Sequence, residues 1–170
     1  MTQRLKKKEK YKRYEVIRKQ ALASDQYETP DWIRKHILES EKLKEDELFD
    51  ICPLREDWRQ GFHYDALNEN WSHKVNFGNP PFSQVTLFVE KALAEFLKGK
   101  NVILLLPKYQ LVQKSIYKEL LKEICDLHSL GEVAFVKDGQ QLKSPYPREC
   151  VLVYFLQPSY IQRKADFEDK

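Results

Sequence analysis

The sequence predicts an α/β domain, because apolar segments of strand length alternate with amphipathic segments of helical length. Predicted strands lie at 48–52, 74–78 and 102–106, and predicted helices lie at 85–97 and 110–124. The segment 102–106 is apolar on both faces, which is typical of a central parallel strand. We therefore expect a mostly parallel sheet with helices on both faces.

The length and composition favour one compact domain. The chain has 170 residues, of which 42% are hydrophobic and 12% aromatic, enough to form one core. We assign 25–160 to this domain, with a basic arm or helix at 1–24 and a polar tail at 161–170. No run of about 18 apolar residues predicts a membrane span, and the basic start lacks the apolar core of a signal peptide. We expect an intracellular protein, cytoplasmic or nuclear, without membrane association.

The cysteines favour neither a metal site nor a disulfide framework. Cys52, Cys125 and Cys150 are an odd number with wide gaps, and none has a metal-ligand spacing to a histidine. We therefore expect no metal.

Positive charge is concentrated near the N-terminus. The formal net charge of +3 is small for a protein that binds a polyanion. Lys6, Lys7 and Lys8 are nevertheless consecutive in a basic segment. This segment is either a solvated helix face or an arm that attracts phosphates.

A helix is predicted to begin after Thr29, whose side chain can cap the first turn, with Pro30 at the first helical position. We expect this helix to extend to about residue 43. Four of its residues are expected to face inward: Trp32, Ile33, Ile37 and Leu38.

The second half of the domain contains a clear helix and a pair of strands. Apolar residues up to Leu97 recur at helical spacing in 85–97, and Gly99 supplies a stop. The strands predicted at 133–136 and 150–155 are joined without a helix. We expect them to form an antiparallel hairpin at the edge of the sheet.

The segment Asn79-Pro80-Pro81-Phe82 follows a predicted strand and is the strongest candidate for a catalytic site. The prolines end the strand and stiffen the loop. The carbonyl groups of the Asn79 side chain and the Pro80 backbone can accept hydrogen bonds from an amino group and make its lone pair available. Phe82 can stack on a base that has been turned out of a duplex. The alternative, that Pro80 and Pro81 only end a strand, is disfavoured because the flanking Asn and aromatic residue make chance occurrence rare.

Asn79-Pro80-Pro81-Phe82 matches the catalytic motif of the amino methyltransferases, which modify the exocyclic amine of adenine or cytosine. The wider pattern, over about 27–155, resembles the compact phage-type DNA N6-adenine methyltransferases. The further segments that carry the resemblance are Thr29-Pro30, Phe49-Asp50-Ile51-Cys52-Pro53, Asp65-Ala66-Leu67, Trp71 and Leu104-Leu105-Leu106-Pro107. The resemblance implies a Rossmann-like sheet, S-adenosylmethionine as cofactor, and N6 of adenine in DNA as the acceptor, reached by base flipping.

The resemblance also implies cofactor-binding roles near the end of the first strand. Asp50 would contact the methionine or ribose part, and Asp65 would accept from the adenine amine or a ribose hydroxyl. The other implied cofactor contacts are Thr29, Pro30, Cys52, Pro53 and Leu67. Without the resemblance, each of these residues has a simpler interpretation. Asp50 can cap a turn, Asp65 can be a solvated loop carboxylate, and Cys52 can be a small buried residue.

The chain departs from the superfamily pattern after Asp50, where Cys52-Pro53-Leu54-Arg55 stands in place of a glycine-rich turn. The carboxylate of the cofactor's methionine part would therefore need a different binding site. Trp58 and Trp71 are interpreted as core residues.

A DNA partner requires cations around the flipped base. The candidates are Lys6, Lys7, Lys8, Lys108, Lys143 and Arg148. Because few residues are left to read bases, we expect short-range specificity or help from a second subunit, either another copy or a different partner.

Three other hypotheses stay open. The same chemistry can act on RNA or on the amine of cytosine. A protein glutamine presents similar N–H geometry, and related enzymes use Asn-Pro-Pro-Tyr. A catalytically silent subunit that binds nucleic acid is the third hypothesis.

Overall fold

The structure is a computed structural model that describes residues 27–52, 66–113 and 126–168. Several predicted features lie outside these residues. They are Lys6, Lys7 and Lys8 of the basic arm, Pro53, Trp58, Asp65, and 114–124 of the second predicted helix.

The described residues form an α/β fold with one five-stranded sheet and one small hairpin. The strands of the sheet are β1 (Leu48–Asp50), β2 (Val75–Gly78), β3 (Val102–Pro107), β4 (Asp126–Glu132) and β7 (Glu149–Phe155), and the hairpin consists of β5 (Val136–Lys137) and β6 (Gln140–Gln141). The order across the sheet is β1-β2-β3-β7-β4. The helices are α1 (Asp31–Ser40), α2 (Val85–Leu97), α3 (Lys108–Gln113) and α4 (Pro158–Glu168), with 3-10 turns at Glu45–Glu47 and Phe82–Gln84.

The sheet is mixed, so the prediction of a mostly parallel sheet was wrong. β1, β2 and β3 run parallel, whereas β7 is antiparallel to both β3 and β4. Residues 133–148 connect β4 to β7 without a helix. Parallel neighbours are usually joined by a crossover helix, and since none lies between β4 and β7, these two strands pair antiparallel, with β7 between β3 and β4.

An antiparallel pair closes the edge of the sheet, but its outer strand was assigned to the wrong residues. The strand predicted at 133–136 lies earlier, at β4, and Val133 and Phe135 instead pack into the core beyond its end. β4 is mostly exposed and bonds to β7 through its backbone. An edge strand of this kind carries no apolar alternation, which explains why the sequence pattern missed it.

Two apolar cores lie on the two faces of the sheet. Alternate residues of β3 and β7 point to opposite faces, as the pleat requires. One face packs against α2 and α3, and the other packs against α1, α4 and the segment 133–146. Trp71 is fully buried in the first core, as expected.

Helix α1 differs from its prediction at both ends. Pro30 is the N-cap residue and no side chain caps the helix, so Thr29 does not have its predicted role. The helix ends at Ser40 rather than at about residue 43, and Lys42 has a positive φ of 52°. Trp32 is 46% exposed, whereas Ile33 and Ile37 are fully buried. Residues four apart share a helix face, and the neighbour of Ile33 turns away from that face.

Helix α2 confirms its predicted bounds, and Gly99 follows it with a φ of 88°. Leu97, however, is 82% exposed, while Glu95 is buried. The tail predicted from residue 161 is helical as far as Glu168, within α4.

Candidate functional site

The strand directions collect the candidate residues at one edge of the sheet. Asp50, Asn79 and Lys108 stand at the carboxyl ends of β1, β2 and β3, which are parallel. The reversed strand β7 begins at the same edge, because Pro107 pairs with Cys150. Open α/β sheets bind ligands outside the carboxyl ends of their parallel strands.

The Asn-Pro-Pro-Phe loop holds Asn79 in a defined orientation. Asn79 is 8% exposed, and its Nδ2 donates a hydrogen bond of 3.0 Å to the backbone carbonyl of Tyr27. Because a carbonyl oxygen can only accept, this bond determines which way the amide faces. Among the described residues, no donor is bonded to Oδ1 of Asn79. The oxygen is therefore available as an acceptor.

The aromatic ring of Phe82 is packed against other aromatic rings and is largely buried. It is 9% exposed and makes edge-to-face contacts with Tyr27, Phe135 and Tyr146 at centroid distances of 6.2, 5.7 and 5.1 Å. The backbone carbonyl of Phe82 accepts a 3.0 Å hydrogen bond from Nε2 of Gln110. The stacking of Phe82 on a base stays a prediction, and it requires a base to reach what remains accessible of this ring.

The turn after β1 lies beside this loop. Oδ1 of Asp50 accepts a 2.8 Å hydrogen bond from the backbone N–H of Cys52, so Asp50 does cap a turn. Burial raises the pKa of the Cys52 thiol well above its usual value, and the Asp50 charge adds to the rise, while a hydrogen bond with the backbone of Asn79 opposes it. A thiol with a raised pKa is a weak nucleophile at neutral pH. Cys52 thus joins the two loops structurally.

Three other cofactor candidates are among the described residues, namely Thr29, Pro30 and Leu67. Thr29 and the buried Pro30 follow Tyr27, whose carbonyl holds Asn79. Leu67 is half-buried and packs, as Cys52 does, against the core that contains Trp71. Pro53 and Asp65 lie outside the described residues.

The cationic side chains predicted to contact phosphates differ in the residues with which they interact. Nζ of Lys108 forms a 2.7 Å ion pair with Glu149, and this hydrogen bond is the main cause that lowers the pKa of Glu149. The guanidinium of Arg148 lies over the ring of Tyr109, 4.5 Å from its centroid. Lys143 is exposed.

Sequence reasoning missed several residues that shape this edge. Tyr27, Gln110 and Tyr146 contact the loop, yet their positions in the sequence carry no motif. Burial, and secondarily a hydrogen bond with Tyr109, raise the pKa of Tyr146 to about 12. The sequence does contain one signal of close packing beside this loop, Gly78, since a glycine inside a strand marks a close approach; the residues it approaches are Ile51 and Leu104.

The described residues contain no group of three His, Cys, Asp or Glu side chains that could hold a metal ion. None of the described helices is both long and apolar enough to cross a bilayer. No protein-family model matches the chain, and no curated protein matches it significantly.

Proposed function

We propose that this chain is an S-adenosylmethionine-dependent methyltransferase with a Rossmann-like sheet that methylates N6 of adenine in DNA. The observation that carries the proposal is the orientation of the Asn79 amide, fixed by the 3.0 Å bond to the Tyr27 carbonyl. The lone pair of an exocyclic amine is delocalised into the base, so acceptors must bond to its N–H groups before it can attack. A fixed amide oxygen in a proline-stiffened loop provides such an acceptor without a strongly basic side chain.

The position of the loop adds support. Asn79 follows β2, which lies between β1 and β3, so the loop leaves the middle of the parallel part of the sheet. Asp50, the last residue of β1, and Lys108, directly after β3, flank it. A cofactor over β1 and an acceptor over β3 would meet at Asn79.

The residues around Asp50 are of chemical types that can bind S-adenosylmethionine. The Asp50 carboxylate accepts a hydrogen bond from the backbone of Cys52, and a carboxylate is the kind of group that bonds to the hydroxyl and ammonium groups of this cofactor. The half-buried Leu67 offers an apolar surface for an adenine ring. When bound, the cofactor supplies an electrophilic methyl group on a sulfonium. The Asn79 side chain and the Pro80 carbonyl would hold the acceptor amine, and the stiff loop would keep them in place.

Two measurements on the full chain test the proposal. Titration calorimetry with S-adenosylmethionine should show saturable binding. Transfer of labelled methyl groups should occur to DNA that contains adenine, and not to otherwise identical DNA in which adenine is absent. No cofactor binding by the folded chain would favour the silent subunit, and transfer to RNA, to cytosine or to protein glutamine would reassign the acceptor.

Asn79→Ala is the sharper test. The substitution should lower the transfer rate by about 100-fold or more, as the loss of one preorganised polar group does in other enzymes. The affinity for the cofactor should hardly change, because Asn79 is assigned to the acceptor. The exposed Asn70 provides a matched control, and Asn70→Ala should retain the wild-type rate. Equal rates for Asn79→Ala and wild type would remove Asn79 from the mechanism.

A further inference from the structure

Arg148 lies at the same edge of the sheet as Asp50, Asn79 and Lys108, because β7 runs antiparallel to β3. The pairing of Pro107 with Cys150 brings the residues just before β7 next to those just after β3. Two interactions confirm this proximity. Arg148 stacks on Tyr109, and Lys108 pairs with Glu149.

The contact with Tyr109 does not use up the hydrogen-bonding capacity of Arg148. The ring attracts the guanidinium as a cation, 4.5 Å from the ring centroid, whereas a guanidinium also has five N–H donors. Among the described residues, no carboxylate pairs with Arg148, and its side chain is exposed. Lys108 differs, because Glu149 compensates its charge at 2.7 Å. Arg148 is therefore the better placed of the two to bind an external anion.

The segment that carries Arg148 is tied to the catalytic loop. Tyr146 stands between Pro145 and Pro147, its N–H donates to the carbonyl of Val133 at 2.8 Å, and its ring contacts Phe82. Tyr146 also shares a hydrogen bond with Tyr109. Tyr109 is in turn hydrogen-bonded to Gln110, which holds the carbonyl of Phe82. These contacts set the distance between Arg148 and the loop.

We propose that Arg148, supported by Tyr109, binds a backbone phosphate of the strand that carries the target nucleotide. The planar donors of arginine match two phosphate oxygens, and the ring beneath keeps the guanidinium oriented. The proposal deepens the proposed function and rests on it for the assignment of DNA as the substrate. It separates nucleic acid from a protein glutamine, which has no phosphate.

The test measures binding of a fluorescent adenine-containing duplex by the full chain over a range of salt concentrations. Arg148→Gln should weaken binding about tenfold at low salt and reduce the salt slope by about one unit. Lys100→Gln is the matched control. It removes the same charge at the opposite edge of the sheet, before β3, and should change neither quantity. Equal effects of the two substitutions would overturn the proposal.

Substitutions of Tyr109 test the stack itself. Tyr109→Phe retains the aromatic face and loses only the hydroxyl that bonds to Gln110 and Tyr146, so it should keep most of the binding. Tyr109→Leu should reproduce much of the loss seen in Arg148→Gln while the charge remains. Thermal denaturation of each variant controls for folding. Normal binding by folded Tyr109→Leu would show that the ring does not support the phosphate contact.

The phosphate contact and the methyl transfer can fail separately. A reduced salt slope in Arg148→Gln, together with no transfer by the wild type, would retain the phosphate contact and reject the proposed function. If instead the wild type transfers methyl groups and Arg148→Gln changes neither the rate, nor KM, nor the salt slope, the proposed function is retained and the phosphate contact is rejected. Binding to single-stranded DNA and to RNA of the same sequence identifies the strand form that presents the phosphate.

Discussion

Gly78 occupies a position at which a side chain does not fit. A Cβ atom there would lie 2.8 Å from Cγ1 and 2.9 Å from Cδ1 of Ile51. Such distances are shorter than any normal contact between carbon atoms. The residue immediately before Asn79 must therefore be small if Ile51 is to keep its position, and this constrains the point at which the Asn-Pro-Pro-Phe loop leaves β2.

Gly78→Ala should destabilise the protein by about 1–3 kcal/mol, because overpacking displaces Ile51 or the strand. Removing the opposing side chain should relieve the clash, so the double variant Gly78→Ala/Ile51→Ala should lose less stability than the sum of the single variants. Urea unfolding of the four proteins measures this coupling. Strict additivity would show that Ile51 does not limit residue 78.

At the scale of the element, α2 contains a buried carboxylate on its core side. Glu95 is 1% exposed, and its Oε1 accepts hydrogen bonds from Lys91 at 2.7 Å and Lys98 at 2.9 Å. Burial alone would raise the pKa of Glu95, but the two lysines outweigh it, and the pKa lies below its usual value of 4.5. The lysines thus make a buried acid compatible with the last turns of the helix, where a negative charge is otherwise unfavourable.

The lowered pKa predicts a pH dependence of stability. The folded state binds the proton of Glu95 less tightly than the unfolded state, so this stabilisation is complete above pH 4.5 and is lost as the pH falls below that value. Glu95→Gln should cost about 1–2 kcal/mol at pH 7, and the difference from wild type should shrink near pH 3. Glu39→Gln, in the exposed pair with Lys35 on α1, should cost less than about 0.5 kcal/mol. A difference between wild type and Glu95→Gln that does not vary with pH would contradict this account.

The elements that the sequence predicted best are those with two-sided or strongly periodic apolar patterns. β3 is buried at all six of its residues, and α2 was identified from its helical spacing to within its observed bounds. β4 was missed because a polar edge strand is selected by backbone pairing with β7 and not by its side chains. Leu97 belongs to the apolar pattern and is nevertheless exposed, whereas Glu95 is buried, because hydrophobic periodicity does not predict the burial of a charge that has local partners.

At the scale of the whole molecule, helix α4 completes the second core. Tyr160 is 4% exposed, and its hydroxyl donates to the carbonyl of Glu41 at 3.4 Å, while Lys164 pairs with the Glu41 carboxylate at 3.0 Å. Gln157, just before the helix, bonds to the carbonyls of Phe96 and Lys100. The C-terminal helix therefore joins α1 to the loop between α2 and β3.

Tyr160→Ala should destabilise the fold by about 3 kcal/mol, since it removes a large buried ring from this core. The neighbouring Ile161 is 52% exposed, and Ile161→Ala should change the stability by less than about 0.5 kcal/mol. The midpoints of thermal or urea unfolding test the contrast. A similar cost at both positions would show that α4 does not close the core.

Like the helices and strands, the site residues include some that could be predicted from the sequence and others that only the structure reveals. Asn79-Pro80-Pro81-Phe82 could be chosen from the sequence, because its chemistry is carried by consecutive residues. The Tyr27 carbonyl, Gln110 and Tyr146 could not, because they reach the loop from distant parts of the chain. The packed state of Phe82 likewise depends on three rings outside the motif.

The sequence by itself determined the α/β class, most strands and helices, and the candidate loop, since each depends on local periodicity, proline and glycine. The tertiary structure decided the mixed direction of the sheet, the edge strand, the orientation of the Asn79 amide and the position of Arg148 over Tyr109. These features arise from pairing between segments far apart in the chain, where backbone hydrogen bonding and burial, and not local residue preference, select among the available arrangements.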